Sequence, residues 1–143
     1  CSSDLAQAIA HWRRSLGPAS TPDTRSLRGD LDALVDAVPD YDTQEINMFR
    51  VVIGVATAAM HDPALSAALD DLVLSVPRQL LRSVLDRAVT RGEIPADRDL
   101  ALLPDAVLGL NILRMISGRP VDRIYVRRVL DEVVLPLATA SPA

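Results

Sequence analysis

The apolar positions of this chain recur with helical rather than strand period, and the pattern breaks at proline and glycine. Leu5, Ile9, Trp12 and Leu16 stand at i, i+4, i+7 and i+11, one face of a helix over about Asp4 to Leu16. Ser2 or Ser3 caps it and Gly17-Pro18 stops it. The Pro/Ser/Thr-rich stretch through Arg25 predicts a mobile loop. A second helix, Ser26 to Val38, carries Leu27, Leu31, Leu34 and Val38 inward and turns Arg28, Asp30, Asp32 and Asp36 to water. A third, from Asp42 or Thr43 to about Met60, keeps the stripe Ile46, Phe49, Ile53, Ala56 and Met60. From Val51 onward it is apolar on its other side too, which predicts a buried centre. Asp62 as N-cap and Pro63 at the first helical position open a short helix to Leu74. Pro77 then either kinks the path or starts a new helix capped by Ser75. That helix reaches Arg91 with Leu80, Leu81, Val84, Leu85 and Ala88 inward, and Gly92 is placed as its C-terminal cap. Glu93 to Asp99 reads as a polar connection.

The last two patterns run from about Leu100 to Ile116 and from about Val121 to Leu137, joined by Ser117-Gly118-Arg119-Pro120. Pro104 moves the start of the first toward Leu103. Both are apolar on more than one face, and a helix of that kind must bury each face. A second copy of the same hairpin meets that need through a two-fold four-helix interface. The expected seam is Leu103, Val107, Leu110, Arg114, Tyr125, Val129 and Val133. The expected fold is all-α: an orthogonal, layered bundle of about seven helices in one domain over residues 1–143.

Composition sharpens this picture. Hydrophobic residues make up 49% of the 143 and aromatics 3%, so the core is aliphatic and suits packed helices. The net charge is −4, and every cation is arginine. Such a chain lacks the positive footprint that phosphate neutralisation demands, so these residues alone are not expected to grip DNA. The one cysteine, Cys1, permits no disulfide within the chain and fits a reducing cytoplasm. No stretch approaches the ~18 consecutive apolar residues of a membrane span. The start at Cys-Ser-Ser-Asp, without methionine, suggests a piece of a longer protein.

The chemical inventory is sparse. No phosphate loop and no nucleophile elbow is present, and His11 and His61 lack partners at metal-ligand spacing. No catalytic residue, metal or cofactor is expected. Asp30, Asp32, Asp36, Asp40 and Asp42 read as a solvated face, and Arg28-Gly29-Asp30, an adhesion tripeptide by letter, reads as coincidence inside a helix. What remains is apolar helical surface with a few polar groups, as in cavities that orient a small ligand. Trp12, Met48, Phe49, Ile53, Thr57, Met60, Leu81, Asn111 and Met115 are the pocket candidates. The competing reading is that they are ordinary core and helix-edge residues.

Several stretches, in order, resemble the C-terminal regulatory domain of tetracycline-repressor-like (TetR family) transcriptional regulators. They are Ser3-Asp4-Leu5, Leu27-Arg28-Gly29-Asp30-Leu31, Asp62-Pro63-Ala64-Leu65, Gly118-Arg119-Pro120-Val121-Asp122 and Val133-Val134-Leu135-Pro136. The most telling is Arg87 to Pro95, with its Arg91-Gly92-Glu93 helix end. The resemblance implies a homodimer, a small apolar or amphipathic effector held in the helical body, and DNA contact only through a helix-turn-helix head that would precede Cys1. Residues 1–16 would then be the linking helix. A repressor is the expected role. A stand-alone helical carrier or enzyme with a buried apolar site stays open as the alternative, as does a headless dimerisation partner.

Overall fold

A computed structural model describes residues 21–38 and 43–140. Among them the elements are α1 (Leu27–Asp36), α2 (Thr43–Ala59), α3 (Pro63–Leu69), α4 (Ser75–Thr90), α5 (Leu102–Ile116), α6 (Arg123–Val129) and α7 (Leu135–Thr139). Single π-helical turns, Asp70–Leu74 and Leu130–Val134, link α3 to α4 and α6 to α7. The fold is all-α. The expected helix over Asp4 to Leu16 lies outside the described residues.

Local chemistry sets most boundaries. Ser26 is extended and its hydroxyl accepts from Gly29 N–H at 3.0 Å, opening α1. Asp62 accepts from Ala64 and Leu65 N–H ahead of Pro63, and Asp122 accepts from Tyr125 N–H ahead of α6. Gly92 (φ +82) and Gly118 (φ +74) end α4 and α5 in the left-handed region. In both caps the next residue donates back across the turn, Glu93 N–H to Ala88 O and Arg119 N–H to Arg114 O.

Each π turn lies just ahead of a proline inside a continuous helical path. A proline ring collides with the carbonyl four residues back. For Pro77 that residue is Val73 and for Pro136 it is Glu132, and each falls within the widened turn. Pro77 therefore bends one path instead of starting another. Ser75 is no N-cap; its backbone is helical and its hydroxyl donates to Asp71 O at 2.6 Å.

The main core joins Leu27, Leu31 and Val35 of α1 to Leu81, Val84, Leu85 and Ala88 of α4, with Ile94, Leu103, Leu130, Val134 and Ala138. Each fully buried aliphatic side chain contributes about 1.5–3 kcal/mol of transfer free energy. A second cluster sits around Ala59 and Leu69. Ile94 corrects the view of 93–99 as polar throughout: it is 1% exposed and pins the connection to the core. The expectation of an all-round buried third helix fails for the second half of α2. Val51, Thr57, Ala58 and Met60 are exposed there, and the helix buries Ala59 instead of Met60. The apolar side chains at this end outnumber the neighbours that α3 and α5 supply.

Candidate functional site

The pocket candidates do not gather into one place. Trp12 lies outside the described residues, as do the side chains of Met48 and Phe49. Leu81 is part of the main core. Met60 is 78% exposed, and Thr57 is exposed with its hydroxyl donating to Ile53 O. Ile53, Asn111 and Met115 are half-buried on α2 and α5, two helices that pack together. Asn111 Oδ1 is buried with no hydrogen-bond partner among the described residues. A buried amide oxygen in that condition is available to a donor from outside.

The seam candidates divide in two. Leu103 and Val129 are buried within their own protomer, while Val107, Leu110 and Val133 are half-buried. Arg114 and Tyr125 close the terminal hairpin. Arg114 Nε donates to Pro120 O at 2.7 Å, and its guanidinium lies 4.1 Å from the Tyr125 ring centre. Tyr125 OH donates in turn to Leu110 O at 3.0 Å. The exposed apolar residues of α5 are Leu102, Leu113 and Ile116, which with Gly109 form a single stripe at i, i+7, i+11 and i+14. Ile124 and Leu137 are exposed beyond it.

The feature that sequence reasoning missed is a charged knot between α1 and the end of α4. Asp30 does not face water; it is wholly buried. Its carboxylate accepts from Thr24 N–H at 2.6 Å, Thr24 Oγ1 at 2.9 Å and Arg91 Nη2 at 3.2 Å. Burial pushes its pKa up, but the Thr24 and Arg91 contacts outweigh that and hold it below the ordinary carboxylate value. Glu93 accepts from Leu27 N–H at 2.7 Å, capping α1 from 66 residues away, and pairs with Arg91. The Leu27 amide and then Arg91 lower its pKa. Arg91 also approaches Asp23 at 3.7 Å, and Arg87 Nη1 donates to Pro22 O at 2.9 Å. Residues 21–24 are thus strapped to α4, not loose. Gly29 makes the strap possible, because a Cβ there would overlap Thr24 Oγ1 and come within 2.8 Å of Ser26 Oγ. All three residues of the Arg28-Gly29-Asp30 tripeptide have structural roles, Arg28 through its 2.9 Å ion pair to Asp131. The available signal was the pairing of a helix-opening Ser-x-x-x-Asp with a distant Arg-Gly-Glu.

The knot shows why the Arg91-Gly92-Glu93 end matters: it locks α1 to the end of α4. Against this architecture, the family described as Tetracyclin repressor-like, C-terminal domain matches residues 21–133. The chain belongs to the TetR family of transcriptional regulators. It is 31% identical over 124 residues to HTH-type transcriptional regulators of Mycobacterium bovis and of Mycobacterium tuberculosis, a span of 86% of this chain and 60% of each relative. It therefore matches only about 60% of the length of those regulators. No solved structure matches the chain. Among the described residues of this TetR-family domain, no helix is long and apolar enough to cross a membrane.

Proposed function

We propose that this chain is the effector-binding and dimerisation domain of a TetR-family repressor whose DNA-reading head lies in the part of its relatives that the chain does not span. The family match over residues 21–133 carries this reading. The chain pairs with a second copy through its terminal hairpin, and the exposed α5 stripe supports that pairing. An obligate interface of this kind buries upward of about 2,000 Å². A small apolar or amphipathic effector enters the body between α2 and α5, where the Asn111 amide oxygen, without a partner among the described residues, orients it.

Effector binding acts on DNA through the knot. Residues 21–24 follow the linking segment and are held by Arg87, Arg91 and Asp30. A body shape favoured by effector moves α4, and α4 carries the strap with it. Coupling of this kind is typically ~1–3 kcal/mol, or roughly 5–150-fold in affinity. The test is a gel-shift titration of the full-length parent protein on its own promoter, with and without a small-molecule library. Release of DNA by a library member supports the reading. DNA binding by a monomer of the parent, or ligands that bind the body without altering DNA affinity, would reject it.

A further inference from the structure

A cavity lies at the other end of the connection that the knot begins. Arg82, Leu85, Asp86 and Val89 stand at i, i+3, i+4 and i+7 and share one face of α4. The connection folds back over that face. Arg98 N–H donates to Pro95 O, and Ala101 N–H donates to Asp99 Oδ1. Buried Ile94 anchors the connection before the cavity and buried Leu103 after it. The groove is open to solvent on one side and holds about 270 Å³, and Ala96, Arg98, Asp99, Leu100 and Ala101 form the rest of its wall. None of the body-pocket candidates lines it.

Arg98 lines this wall, and its Nη2 is buried with no hydrogen-bond partner among the described residues. A guanidinium keeps its charge at any accessible pH, and its donors are costly to leave unmatched out of water. Its planar fork fits a carboxylate better than a point acceptor. Two arginines and two aspartates leave the lining formally neutral. A single negative charge is tolerated beside Asp86 and Asp99, whereas a dianion meets twice the repulsion. Val89 and Leu100, both half-buried, offer apolar contact to the remainder of a ligand, and the volume, at the low end for ligand sites, keeps that remainder small.

We propose that this groove binds a small monocarboxylate with an apolar body, its carboxylate on Arg98. The proposal does not depend on the effector and dimer reading above, because it concerns different residues. The test is a titration of this chain with benzoate and, separately, inorganic phosphate, followed by amide and methyl NMR. Saturable benzoate shifts at Leu100 and Val89 are expected at about millimolar concentration, with ring-to-methyl cross-peaks at those residues and weaker binding of phosphate. Arg98→Gln is expected to weaken benzoate about tenfold or more, and Arg98→Lys less, because the fork is lost but the charge is kept. Unsaturable shifts, shifts centred elsewhere, phosphate binding as tight as benzoate, or unchanged affinity in Arg98→Gln would each overturn the assignment. Should the variant fail to fold, the wild-type cross-peaks decide it alone.

Discussion

Arg91 Nη2 stands 3.2 Å from Asp30 Oδ2, an ion pair across 61 residues in which the carboxylate is wholly buried and the arginine side chain 23% exposed. Removing the carboxylate strands the Thr24 amide and takes one partner each from the Thr24 hydroxyl, which keeps Ser26 O, and from Arg91, which keeps Glu93 and Asp23. Asp30→Ala is expected to lower unfolding free energy by about 2–4 kcal/mol, read from urea denaturation. A loss as small as that of an exposed Asp36→Ala control would show that the knot adds nothing.

The same group predicts an acid limb of stability. Asp30 and Glu93 are both held below their ordinary values of 3.8 and 4.5. The folded chain therefore binds fewer protons than the unfolded one in this range, so stability rises with pH there. Their contribution is complete above about pH 5 and is lost as the pH falls below about 4. The charged group facing both is Arg91, which also approaches Asp23 at 3.7 Å. Urea midpoints from pH 6 down to pH 3 should fall steeply in the wild type and less steeply in Asp30→Asn.

Gly29 has no room for a side chain against Thr24 and Ser26. Gly29→Ala is expected to lift the strap without unfolding the domain. Hydrogen exchange at Thr24 should accelerate while amides of α4 stay protected. Equal protection of Thr24 in both proteins would mean that the strap bends around the methyl.

Tyr125→Phe removes the donor to Leu110 O and nothing else from the hairpin. A cost of about 1 kcal/mol is expected, with the cation–π contact to Arg114 retained. Thermal unfolding of the single and the Arg114→Met double variant would separate the two contributions.

For the terminal helices, exposure distinguishes two kinds of substitution. Leu113→Arg, on the open α5 stripe, is expected to give folded monomers in sedimentation runs. Val129→Asp, at a position 5% exposed within its own protomer, is expected to unfold the chain. A dimeric Leu113→Arg protein would move the seam off this stripe.

Helical periodicity was sufficient to place most elements. Leu27, Leu31, Leu81, Val84, Leu85 and Ala88 face the core as their spacing predicts, and Gly92 and Gly118 end helices as their lack of a side chain permits. Charge was the misleading signal. Asp30 sits one position from an apolar stripe and resembles half-buried Asp32 and exposed Asp36 in every local respect of the sequence. Only Thr24 and Arg91, the latter 61 residues away, reveal it as buried. Met60 misled for the opposite reason: its spacing fits the stripe, but the chain turns at His61 before any neighbour reaches it. The proposed effector site was the least legible, because apolar residues that line a ligand and those that fill a core follow the same period.

The widened turns ahead of Pro77 and Pro136 have a consequence for sequence change. Each is equivalent to one surplus residue spliced into an otherwise regular rod, and it offsets the angular phase of everything downstream. Leu69 before the first such turn serves one cluster and Leu81 after it serves another, so a single rod feeds two interiors. Excising one residue from Asp70–Leu74 would therefore rotate α4 relative to α3, misaligning the second interior with the first, although no side chain of either had been altered.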